Sequence, residues 1–165
     1  MRSLLLLVAA AGCGGAPPPV GGIEPTATCF AGDGEATIRR PDEPAGRLAP
    51  YRVVVLRDHL GDAMTETRTY SDEARPPHVD ERWVLRAGEL AIGGETLRGA
   101  SAGDDTGWSF AGRDVRIAER VTDGVLASDY VERDPTGEPR VERHEHLRAI
   151  DCRAYPAERA AIAQR

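Results

Sequence analysis

From residue 35 to residue 152 the apolar side chains recur with a period near two, and turn-forming residues interrupt them about every 8–12 positions. A period of two belongs to a strand with one face turned into a core. It excludes a helical bundle, whose apolar residues repeat every 3.6 positions. The alternation predicts strands at Glu35–Arg40, Tyr51–Asp58, Ala63–Tyr70, Val79–Arg86, Glu89–Ile92, Glu95–Arg98, Gly107–Gly112, Asp114–Val121, Val125–Arg133 and Arg140–Cys152. Between them, Gly93-Gly94 and Asp123-Gly124 supply the positive φ angles of tight hairpins, and Asp134-Pro135-Thr136-Gly137 suits a type I turn. Helical chemistry is confined to Pro156–Gln164, with proline first and alanines after it. Short hairpins between successive strands imply an all-β antiparallel meander of about 8–10 strands, either an up-and-down barrel or a two-layer sandwich. Closure removes the edges that invite aggregation, so the barrel is the expected form.

At 165 residues the chain suffices for one domain. Leu, Ile, Val and Phe make up only about a fifth of it, so a core here leans on alanine, a few aromatics and a covalent staple. The formal net charge of −6 offers no electrostatic footprint for nucleic acid. All 21 basic residues are arginine, and Asn is absent as well, a bias that follows from a GC-rich coding sequence. The lack of lysine excludes Schiff-base chemistry and a P-loop.

The first residues have the three-part form of an export signal: Arg2, an apolar run from Leu4 to Ala11 too short to span a bilayer, then small residues. Ala10-Ala11-Gly12-Cys13 resembles the lipobox of bacterial lipoproteins. The resemblance implies cleavage before Cys13 and acylation of that cysteine, which anchors a protein to a membrane without a transmembrane helix. Residues 1–12 are then the signal peptide and 13–28 the lipidated cysteine with a Pro/Gly-rich tether. Residues 29–152 form the β-rich domain, and 153–165 a tail with a short helix. In Gram-negative lipoproteins an Asp after the lipidated Cys retains the protein at the inner membrane. Gly14 in that place implies the outer membrane.

An oxidising envelope also permits a disulfide between the two remaining cysteines, Cys29 and Cys152, at the two ends of the β-rich domain. In the chain-entropy account a staple closing so long a loop contributes on the order of 4–5 kcal/mol. First and last strands are neighbours in a closed meander, which such a bridge fits. In outline the domain resembles the lipocalins, exported antiparallel barrels often stapled near their ends, and carriage of a small hydrophobic ligand is what that resemblance implies.

Three constellations bear on chemistry. Gly99-Ala100-Ser101-Ala102-Gly103 matches the nucleophile-elbow spacing, with Asp114 or Asp129 and then His144 or His146 downstream. The elbow needs a strand-to-helix turn, and another strand follows instead, so catalysis is not expected. His144-Glu145-His146 places two imidazoles on one face of the last strand, with Glu142 on the same face, a spacing able to hold zinc or copper. Trp83, Trp108, Tyr51, Tyr70, Tyr130 and Phe110 either fill the core or line a ligand cavity. The expected protein is a lipid-anchored, non-catalytic envelope protein with a binding or structural domain whose partner is another envelope protein. The alternatives are a carrier of a small hydrophobic ligand and a metal-binding protein using His144 and His146.

Overall fold

Strand formation follows the alternation closely. The computed structural model describes residues 26–71, 79–86, 88–92, 95–101, 107–112 and 114–163. It contains β1 (Thr26–Arg40), β2 (Glu43–Leu60), β3 (Ala63–Tyr70), β4 (Val79–Arg86), β5 (Glu89–Ile92), β6 (Glu95–Ser101), β7 (Gly107–Ala111), β8 (Val115–Thr122), β9 (Val125–Arg133) and β10 (Pro139–Ile150), followed by helix α1 (Tyr155–Ala163). Each strand pairs antiparallel with its sequence neighbour, and β1 pairs with β10 to close the barrel. The lipobox, Cys13 and the tether up to residue 25 lie outside the described residues, as does Gly93-Gly94. Thr26–Thr28, assigned to the tether by composition, already belong to β1.

The strands extend beyond their predicted bounds chiefly at the starts of β1 and β2, and β6 runs on from Arg98 to Ser101. β1 begins at Thr26, where it pairs with β2 alone, and from Cys29 onward pairing on both sides, to β2 and to β10, overrides the poor strand propensity of Gly32, Asp33 and Gly34. β2 begins at Glu43 although Pro44, Gly46 and Pro50 read as a loop. Its pairing with β3 starts only at Val53, so Glu43–Tyr51 hydrogen-bonds along one side, where proline is tolerated.

Closure has two consequences. Cys29 and Cys152 come together at the start of β1 and just past the end of β10, with Cα atoms 5.1 Å apart, and form the disulfide. Strand parity also sorts side chains between lumen and exterior. Val53, Val55 and Arg57 of β2 point inward, whereas Val54 points out beside Thr69 of β3. Helix α1 lies on the outside of β2 and β3, and there Val54, Thr69 and Ile162 are buried. The hairpin at Asp123-Gly124 has positive φ at both residues, 50° and 73°, as the right-handed strand twist requires.

Two apolar clusters occupy the lumen. Met64, Trp83, Leu90, Leu97, Trp108, Phe110 and Ile117 fill the side made by β3 to β8. Phe30, Val53, Val55, Tyr70, Leu126 and Leu147 fill the other. Trp108 packs edge-on to Trp83 and tilted against Phe110, with centroids 6.0 and 5.4 Å apart. These aromatics are core.

Candidate functional site: an ionic strut across the lumen

The same parity that sends Val53 and Val55 inward also sends Arg57 inward. On β3 it sends Glu66, Arg68 and Tyr70 to the lumen beside Met64, on β8 Glu119 beside Ile117, and on β10 Glu145 beside Leu147. Among the described residues five guanidinium and carboxylate side chains are therefore buried within a barrel of modest aliphatic content. Arg68 and Glu66 are fully inaccessible. Charges leave water only when paired and hydrogen-bonded, and here they are.

Arg57 donates from Nε and Nη2 to Oε2 of Glu66, at 3.0 and 2.8 Å. The same Nη2 donates to Oε2 of Glu119 at 2.6 Å. Arg68 Nη1 donates both to Oε1 of Glu66 and to Oε1 of Glu119, and its Nη2 donates to Oε2 of Glu145. Its Nε donates to the Tyr70 hydroxyl at 3.0 Å. Tyr51 donates to the other oxygen of Glu145 at 2.7 Å. Both guanidiniums also lie over rings: Arg68 is 4.4 Å from the Trp83 centroid and Arg57 is 5.6 Å from that of Phe30. In the strand order β3 and β8 stand five places apart in either direction, so the bonds from Arg68 to Glu119 cross the barrel from wall to wall. The cluster is a strut.

Local backbone makes one end of it possible. Gly34 of β1 faces both Tyr51 of β2 and Glu145 of β10 in the register. A Cβ there would lie 2.5 Å from the Tyr51 ring, so the tyrosine crosses β1 only because this residue is glycine.

The strut's electrostatics are asymmetric. Burial pushes the Glu119 carboxyl up, and the neighbouring Glu66 charge pushes it further, to about 7, against the opposing pull of Arg68, Arg57 and the Ser128 hydroxyl. Burial also acts to raise Glu66, but the Arg68 and Arg57 guanidiniums outweigh it and hold that carboxyl below its ordinary range.

The sequence-derived candidates lie elsewhere. His144 and His146 point to the exterior of β10 and are exposed. His144 Nδ1 is 2.7 Å from Oδ1 of Asp129, its partner across the β9–β10 pair, which places the ring proton on Nδ1. Glu142, on the same face, pairs with Arg39. Among the described residues no three His, Cys, Asp or Glu side chains are placed to hold one metal ion. Ser101 lies within β6, paired with Trp108 of β7, and not on a turn leading to a helix; Ala102 and Gly103 are outside the described residues.

The charged strut was not among the sequence candidates, yet a signal for it exists. Following the inward phase along three of the predicted strands, Val53-Val55 to Arg57, Met64 to Glu66 and Arg68, Ile117 to Glu119, finds the charges on core positions. Fold and site together define a class, a closed ten-stranded antiparallel barrel whose lumen is crossed by buried arginines and glutamates. Comparison with protein-family models and with curated proteins finds no match for the chain.

Proposed function

We propose that the protein is a lipid-anchored bacterial envelope protein of the outer membrane, whose barrel is a non-catalytic binding or structural module working through its exterior and rims. The observation that carries this reading is the strut. It occupies the middle of the lumen, the space a carried hydrophobic guest needs, and so favours an interaction module over a lipocalin-like carrier. The outer wall supports anchoring beside a membrane and not insertion into it. Arg98, Arg116, Arg120, His144, His146 and Arg148 are exposed there, whereas a membrane-spanning barrel presents an apolar outward band. The disulfide sits at the tether's end of the barrel, where it ties the first strand, which follows the proposed tether directly, to the closing strand.

The test is to make the full chain and its Cys13→Ser variant in a Gram-negative host with lipoprotein processing. The reading expects acyl mass on the first, recovery in outer-membrane fractions, and loss of both on substitution. Full-length protein that stays soluble and carries no acyl mass refutes it.

A further inference from the structure

We propose that the strut holds one exchangeable proton near neutral pH, and that the proton-loaded barrel is the tighter form, so that the fold itself responds to pH. The argument begins with a count of charges. Among the described side chains, three buried carboxylates, Glu66, Glu119 and Glu145, meet two buried guanidiniums, Arg57 and Arg68. The third guanidinium nearby, Arg143 of β10, is half-buried and lies over the Tyr70 and Tyr130 rings, 5.0 and 4.7 Å from their centroids; the groups that chiefly act on Glu119 are Glu66, Arg68, Arg57 and Ser128.

Geometry then selects where the excess falls. Glu66 and Glu119 are bound to the same two nitrogens, Arg57 Nη2 and Arg68 Nη1, which holds the two carboxylates face to face across them. Like charges this close, both buried from solvent, favour protonation of one member. Glu66 accepts three bonds from the guanidiniums and Glu119 accepts two. Glu119 is therefore the weaker-held anion and the proton's seat, in keeping with the upward displacement of its carboxyl.

The remaining groups facing Glu119 suit either state. Ser128 of β9 bonds to it, and a hydroxyl donates to a carboxylate or accepts from a carboxylic acid with equal ease. Tyr70 is engaged by Arg68, and Tyr51 by Glu145. The linkage has a definite sign. The folded chain binds this proton more tightly than the unfolded chain does, so the stabilisation is full below the unfolded value of 4.5 and is lost as pH rises through about 7.

Equilibrium urea unfolding of the disulfide-intact protein, wild type against Glu119→Gln, is the test. Between about pH 5 and about pH 8 the wild-type folding constant falls on the order of fifty-fold, and that of the variant by less than about threefold. An equal fall in both proteins, or no fall in the wild type, overturns the proposal. If the variant does not fold, carbon-13 titration of the glutamate carboxyls in folded wild type decides. One carboxyl titrating near neutrality supports it, and all of them titrating in the acid range overturns it.

Discussion

Replacing Arg68 with Met tests whether the strut holds the walls of the barrel together. The guanidinium is fully buried and donates to Glu66, Glu119, Glu145 and Tyr70, and its plane lies over Trp83. A methionine fills much of the volume but leaves three carboxylates with Arg57 as their one buried counter-charge. Breaking a buried ionic arrangement by removing one partner costs about 3–5 kcal/mol. Loss of the desolvated cation over the indole adds about 2 kcal/mol. A domain of this size has about 5–15 kcal/mol in all, so the substitution consumes a large share of its stability. Part of the loss is recoverable with protons, because the Glu119 carboxyl, already pushed up to about 7, neutralises itself as pH falls, so the penalty is largest above neutral pH. The assay is urea unfolding followed by fluorescence of Trp83 and Trp108, both buried in the lumen. Adding Glu119→Leu to Arg68→Met removes one of the carboxylates left in excess of Arg57 and leaves the Arg57–Glu66 pair intact, so the double variant is more stable than the single one. A single-variant loss below about 1 kcal/mol at about pH 8, or a double variant less stable than the single, refutes the cross-barrel coupling.

The remaining predictions concern acid, the staple, one glycine and the outer face. Glu66 is favoured as the anion in the fold, so its contribution is present above 4.5 and is lost as pH falls through its lower folded value; Glu66→Gln unfolds with a flatter acid limb in a circular-dichroism titration. Replacing Cys29 and Cys152 by serine opens a loop of 123 residues and lowers stability by about 4–5 kcal/mol, read as the shift in urea midpoint. Gly34→Ala drives the Tyr51 ring off Glu145 and costs at least the bond it breaks, about 1.5–3 kcal/mol, whereas Tyr51→Phe costs no more than that bond. Substituting His144 and His146 together by alanine leaves stability within about 0.5 kcal/mol, because both rings stand in solvent, and zinc titration of this variant beside wild type reports whether the pair takes up metal.

Most of the architecture was legible because its cause is local. Ten alternating segments became ten strands, and Asp123-Gly124 and the Asp134 turn, where Asp134 accepts from the Thr136 and Glu138 amides, formed as their residues dictate. The missed stretches have non-local causes. Gly32 and Gly34 read as breakers until β10 and β2 are placed on either side, at which point a bare backbone is what lets Leu147 and Tyr51 pack over β1. The prolines of β2 read as loop until the strand is seen to pair on one side alone there.

The strut shows why interior chemistry is harder to read than interior position. Alternation says which residues face inward but not which inward residues meet, and Arg68 and Glu119 are 51 positions apart in sequence and half a circumference apart in the barrel. Composition nevertheless contained the reason for them. Ten strands enclose a wide lumen, and a chain with so few large aliphatics cannot fill it from the walls with hydrocarbon. Arginine and glutamate are long enough to reach across, and once across they satisfy one another, which turns a shortage of apolar volume into a polar core. Such a core resists rearrangement because both guanidiniums are bound to specific carboxylates, and slipping any of β2, β3, β8 or β10 by one residue would turn its charge outward and leave the others buried without partners. On this argument the arginines and glutamates at inward positions fix the register of the barrel, and the thin aliphatic content and the buried charges are one design feature seen twice.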